Sequence, residues 1–272
     1  MTISNSITIG QYIPGDTFMH RLDPRCKLLA LLMFIVAIFM VNKLLLLIPF
    51  FLLAVLLHAG SRIPFRFMVR GLKPIIYIIA LTLFLHVFFT RGGRVLFRYG
   101  PVTIESVGVE MGLFTVFRLI LLILFTMLVT LTTTPLALTG GMEYFLRPLK
   151  YLKIPVAEIA MILTIALRFI PVLMEESERI IRAQTARGAN FKEGHILKRI
   201  RFLVPVMIPL FVSAFRRADE LAVAMEARCY RVGGTRSSLH EQNFGRNDYV
   251  VIVMSALVVA VTVSSRMPAF WS

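Results

Sequence analysis

Two short stretches share a pattern that suits recognition better than bond-making. Residues 178–187 read ERIIRAQTAR and residues 219–228 read DELAVAMEAR. Each starts with an acid, holds Ile or Leu two residues later, and ends Ala-x-x-Ala-Arg. The tripeptides Ala186-Arg187-Gly188 and Ala227-Arg228-Cys229 fall at the same place in each stretch, where a helix should close. Gly188 supplies the left-handed conformation a helix end often needs, and Gly233-Gly234 breaks the chain after the second. Two uses fit. An arginine in the last turn complements the helix macrodipole, for about 0.3–1 kcal/mol. Alternatively, two helix ends each present a guanidinium to acidic or carbonyl acceptors on a partner, because its planar fork can bond two oxygens at once.

Other chemistry is sparse. No phosphate-binding G-x-x-x-x-G-K-[ST] occurs, so the chain does not hydrolyse ATP by the common route. His58 and His86 have no ligand-spaced partners, and no cofactor or metal site is expected. His86, in LFLHVFF, reads as a hydrogen-bonded intramembrane histidine, with a metal or proton role as the alternative. Cys26 and Cys229 form no disulfide framework. The first three apolar runs contain no acid, although ion-coupled transporters usually need intramembrane carboxylates. Glu110, with Arg118 two turns later, is the one candidate, and helix packing accounts for that pair better than a pathway.

The elements that must position the two arginines are membrane helices. Apolar residues make up 57% of 272, and mean hydropathy is +0.78. The net charge of +15 fits Lys/Arg-loaded cytoplasmic loops better than nucleic-acid binding, which is not expected. Residues 1–25 lack the apolar core of a signal peptide. Asp23 and Pro24 mark a helix start. Residues 28–57 are apolar except at Asn42-Lys43, and one helix that long would overshoot a bilayer core of about 30 Å. Two short spans, Arg25–Val41 and Lys43–Leu57, fit instead. A basic loop carries Arg62, Arg66, Arg70 and Lys73, and a third span covers Leu72–Thr90. A polar, turn-rich connector, RGGRVLFRYGPVTIES, leads to a fourth span at Val107–Thr133. The last is Asp248–Ser265, with Trp271 as an interfacial anchor. The fold class is thus an all-α integral membrane protein with about five spans plus long cytoplasmic helices. Lys and Arg divide 24 to 5 in favour of a cytoplasmic N-terminus, so the chain is expected to be a multi-pass protein of the cell membrane.

Residues 1–134 form the first membrane region, 135–247 a cytoplasmic or interfacial region, and 248–272 the last span. The middle region reads as helices at about 140–152, 155–187 and 196–231. Val156–Met174 is apolar except for Glu158, Thr164 and Arg168, and two buried charges would cost about 2.5–3.5 kcal/mol each. Phe202–Phe215 is about 21 Å of helix with Pro205 and Pro209, short for a span. Both segments either lie along the membrane or cross it as a pair. An integral membrane enzyme using the basic face to bind anionic lipid or nucleotide is the competing reading. A self-contained channel lacks a repeated polar stripe.

The sequence resembles the transmembrane T component of energy-coupling factor (ECF) transporters, ABC-type importers of vitamins and metal ions. The resemblance rests on GQYIPGDTFMHRLDPRCKLL (10–29), TPLALTGGMEYFLRPLK (134–150), PVAEIAMILTIALRFIPVLMEE (155–176) and the two Ala-Arg-x motifs, where the family has paired Ala-Arg-Gly. It implies a scaffold, not an enzyme. Two cytoplasmic ATPase subunits would take the helix ends, with Arg187 and Arg228 seated in a groove on one subunit each. A membrane-embedded substrate-binding S component would rest on the apolar surfaces of the coupling helices, with membrane lipid around them. Ala186, Arg187, Gly188, Ala227, Arg228 and Cys229 are therefore the expected docking residues. Cys229 departs from the family's glycine, so the second helix should either run on for another turn or end at Gly233.

Overall fold

The computed structural model describes residues 12–99, 102–189, 196–231, 233 and 244–266. Trp271 and Gly234 lie outside the described residues, as do the first two residues of the 10–29 segment. Two compact units make up the chain, one of residues 12–142 and 244–266, the other of residues 143–233.

The larger unit is a helical layer arranged around one long helix. After a single turn, α1 (Phe18–Arg21), Asp23 accepts a hydrogen bond from the Arg25 backbone at 2.8 Å and Pro24 opens α2 (Pro24–Met40). That is the N-cap and first-position proline expected from the sequence. The helix stops before Asn42-Lys43, so the apolar run does fold as two pieces. A 3₁₀ turn, Leu44–Leu47, then leads into α3 (Ile48–Gly60).

The expected basic loop is largely helix. Pro64 introduces α4 (Phe65–Leu72), which buries Met68 while Arg66 and Arg70 face outward. Lys73–Ile75 continue as a 3₁₀ turn that tolerates Pro74, and α5 (Ile76–Phe89) follows. The third apolar helical run therefore spans Phe65–Phe89 and not Leu72–Thr90. The basic residues do not break the helix because they occupy one side of it.

The connector after α5 is also more ordered than its turn residues suggest. Strands β1 (Val95–Tyr99) and β2 (Val102–Glu105) pair antiparallel, and the Glu105 carboxylate accepts from the Gly92 backbone. Beyond it, α6 (Ser106–Thr132) packs on α2, α3, α4 and α5. Leu121 and Ile38 are fully buried, and Phe34 stacks on Phe125 with ring centroids 4.6 Å apart. Gly108 and Gly112, four residues apart, let α5 approach. A Cβ at Gly108 would stand 2.8 Å from the carbonyl oxygens of His86 and Thr90. This is the close helix approach that small residues four apart permit.

Cations inside this unit cap helices. Arg118 does not pair with Glu110, which is exposed. Its guanidinium donates to the Val41 carbonyl at 2.8 Å, at the C-terminal end of α2, and lies over the rings of Phe114 and Phe39. Lys27 donates to the Thr132 carbonyl at 2.9 Å and the Thr133 hydroxyl at 3.1 Å, closing the end of α6. Both satisfy carbonyls that a helix end leaves unpaired. His86 bonds the Thr82 carbonyl at 2.9 Å, the intramembrane hydrogen bond expected for it. The last helix, α10 (Arg246–Arg266), packs on α2. Asp248 joins them by accepting from the backbones of Asp23 and Gly245.

Helix α7 (Pro135–Leu146) leads into the second unit. There a 3₁₀ helix, Arg147–Leu152, is followed by α8 (Val156–Ala186) and α9 (Ile196–Ala227). Both long helices run unbroken through their prolines. Among the described residues, four helices are long and apolar enough to cross a membrane: Phe65–Phe89, Ser106–Thr132, Val156–Ala186 and Arg246–Ser264. Leu44–Gly60 is a shorter apolar helix.

Candidate docking site at two helix ends

Both Ala-Arg-x tripeptides terminate helices, and by the same device. At the end of α8, Gly188 takes φ +88°. Its N–H donates to the Thr185 carbonyl at 3.0 Å and that of Ala189 to Gln184 at 3.0 Å. At the end of α9, Cys229 takes φ +56°. Its N–H donates to the Glu226 carbonyl at 2.9 Å and that of Tyr230 to Met225 at 3.0 Å. These are paired 5→2 and 6→1 bonds of a Schellman end, with the left-handed residue just past the cap. Cys229 therefore neither extends the helix nor leaves its ending to Gly233. It adopts the glycine conformation, at a cost of about 1–2 kcal/mol for an L-residue.

Arg187 and Arg228 are the cap residues themselves. Both are exposed, as are Ala186, Gly188, Ala227 and Cys229. Among the described residues neither arginine makes an intramolecular ion pair. Their neighbours differ: Arg182 pairs with Glu178 at 3.0 Å, one turn earlier on α8.

The two helices run antiparallel. Glu158, near the start of α8, accepts from the Gly233 backbone at 3.0 Å, whereas Glu176, further along α8, meets Arg217 at 3.8 Å. Glu176 precedes Arg217 in sequence by the same offset that separates Arg187 from Arg228. They stand just before the two echoing stretches, related by the same offset, and they meet each other. Arg187 and Arg228 each lie eleven residues beyond that contact, in opposite directions. At about 1.5 Å per residue each tip is about 16 Å away, so the two are on the order of 30 Å apart. The structure thus gives the six expected docking residues one local geometry, repeated twice, and does not gather them into one pocket. The expectations from sequence do not include this local two-fold relation, although the shared offset of Glu176 and Arg217 signals it.

Apolar side chains remain exposed on both helices. On α8 these include Ile159 and Ile162, and on α9 Ile208, Phe211, Val212 and Phe215. Arg168 is exposed too. Among the described residues no group of three or more His, Cys, Asp or Glu side chains could hold a metal ion.

A family model described as cobalt transport protein, CbiQ, matches residues 15–239. The energy-coupling factor transporter transmembrane protein EcfT of Brevibacillus brevis is 50% identical over 259 residues, covering 94% of this chain and 97% of its own. The chain belongs to this transporter family. Proteins of the same name from Thermosediminibacter oceani and Bacillus subtilis are 45% and 44% identical. Those alignments cover 96% and 94% of this chain, and 98% and 96% of theirs. With its long apolar helices, this EcfT-family chain is a multi-pass membrane protein.

Proposed function

We propose that this chain is the membrane-embedded mechanical link of an ECF importer. Its two arginine-tipped helix ends dock on two cytoplasmic ATPase subunits, one each. The exposed apolar faces of α8 and α9 carry a substrate-binding S component in the membrane. Residues 135–247 form the coupling region, the N-terminus is cytoplasmic, and the chain itself catalyses nothing. The vitamin or metal ion transported is chosen by the S component.

One observation supports this reading most. Two matching helix ends expose guanidinium forks that are unpaired among the described residues, at equal distances from a shared contact, Glu176–Arg217. A pair of related subunits needs two such equivalent anchors, held apart on a stiff frame. A macrodipole role alone accounts for one arginine per helix end but gives no reason for the two-fold spacing. The transporter names of the relatives support the scaffold reading and lend none to a membrane enzyme.

The test is charge reversal at both tips. The Arg187→Glu, Arg228→Glu double variant should insert into the membrane normally, yet lose its ATPase subunits on purification in mild detergent. Full copurification with the double variant would sink the docking assignment.

A further inference from the structure

Between α7 and α8 the chain winds as a 3₁₀ helix over Arg147–Leu152, then turns at Lys153, whose φ is +61°. A 3₁₀ helix has three residues per turn, so side chains three apart eclipse in straight rows. The sequence RPLKYLKI has that same period of three. Arg147 and Lys150 fall in one row, continued at the cap by Lys153. Pro148 and Tyr151 fall in a second, and Leu149 and Leu152 in a third. An α-helix would fan the same cations over about 120° of its circumference.

The surroundings match the rows. No Asp or Glu occurs from 144 through 157. Arg147, Lys150 and Lys153 are all exposed, and Arg147 lies over the ring of Tyr144, 5.7 Å from its centroid. Tyr151 is 95% exposed and Leu152 73%. Tyr144, Phe145, Arg147, Pro148, Lys150 and Tyr151 line a shallow concavity.

We propose that this 3₁₀ segment is a binding site for anionic phospholipid headgroups. Three cations on a stretch that itself holds no acid complement phosphate, successive ones about 6 Å apart at a rise of about 2.0 Å per residue. The leucine row enters the acyl boundary, and Tyr151 lies between the two, where amphipathic rings partition. A row of leucines beside a row of cations matches the boundary between acyl chains and headgroups. The site needs only the membrane that this family occupies, and it does not depend on arginine docking.

The experiment is native mass spectrometry of the full chain in mild detergent, titrated with phosphatidylglycerol or phosphatidylcholine. Wild type should retain phosphatidylglycerol preferentially. The Arg147→Gln, Lys150→Gln, Lys153→Gln variant should retain it at least about tenfold more weakly, since each cation near an anionic surface contributes about a factor of five. The equally neutralising Arg62→Gln, Arg66→Gln, Arg70→Gln variant should bind as wild type. Leu149→Gln with Leu152→Gln should also weaken retention, and millimolar inorganic phosphate should not displace the lipid. Equal retention by the first variant, equal loss in the second, or displacement by inorganic phosphate overturns the proposal. A second readout spares the cations. In Tyr151→Trp, combined with Trp271→Phe, the indole should be quenched by headgroup-proximal spin-labelled lipid. Quenching by aqueous iodide alone, or protection only when other transporter subunits are bound, would assign the surface to water or to protein.

Discussion

The two helix ends place different residues at the same left-handed position, and that difference makes a quantitative test. Gly188 and Cys229 occupy the same position of the same motif, both left-handed. A Cβ added at Gly188 meets nothing within 4 Å, so Gly188→Ala introduces no clash. Its cost is conformational alone, about 1–2 kcal/mol for an L-residue with positive φ. The lowered entropy of the opened chain, which stabilises at compatible sites, returns less than this. A net loss of about 1 kcal/mol corresponds to roughly fivefold more frequent opening of the cap. Cys229→Gly should do the reverse, closing the second cap about fivefold more tightly. Hydrogen exchange of the full chain in mild detergent reads both. Gly188→Ala should speed exchange of the amides at residues 188 and 189 about fivefold and leave 229 and 230 unchanged. Cys229→Gly should slow the latter pair by a similar factor. If Gly188→Ala left exchange unaltered, or Cys229→Gly accelerated it, the left-handed residue would not be what closes these helices. The inference that cysteine imitates glycine there would then be wrong.

Other expectations follow from the same geometry. Spin labels on Arg187→Cys and Arg228→Cys, with Cys229 replaced by Gly, should give a distance of about 30 Å by electron–electron resonance, from the helical rise per residue. A value under about 20 Å would exclude antiparallel tips, because the rise between the two positions already exceeds it. Gly108→Val should destabilise the larger unit by about 1–3 kcal/mol, the usual range for overpacking, because its Cβ would stand 2.8 Å from two backbone carbonyls. A melting temperature unchanged from wild type would show that α5 and α6 can separate without cost.

Local signals carry much of the fold. Asp23-Pro24 marks the start of α2, Asn42-Lys43 its end, and the apolar runs place α6 and α10 within two residues. Each of these depends on neighbours in sequence, so sequence suffices. What sequence does not reveal depends on contacts from elsewhere. The stretch around Arg66 and Arg70 reads as a loop because basic residues interrupt the apolar pattern, yet burial of Met68 on one side makes it an amphipathic helix. The hairpin at β1 and β2 forms across Gly-rich punctuation that reads equally well as an irregular connector. Gly108 and Gly112 carry a small-residue packing signal that becomes plain only when α5 is laid against them. At the candidate site, the arginines and their helix ends are legible. Their opposed placement is not, because it depends on how α8 pairs with α9.

The fate of individual arginines and lysines separates structural from recognition charge. A cation held in an apolar setting without partners is expensive, several kcal/mol even after relaxation. Lys27 accordingly finds a carbonyl and a hydroxyl, and Arg118 a carbonyl and two aromatic faces. Arg182 and Arg217 find carboxylates on the helix pair itself. Arg187 and Arg228 find none of these among the described residues, although Glu178 and Glu226 lie within three turns of them. Capping would be served equally by an arginine bonded back to its own helix. Twin caps eleven residues from one contact hold both forks clear, which is the arrangement the docking proposal asks for. Under the docking proposal, then, most of the +15 charge serves membrane topology, and the part that ATPase subunits would read is confined to two residues.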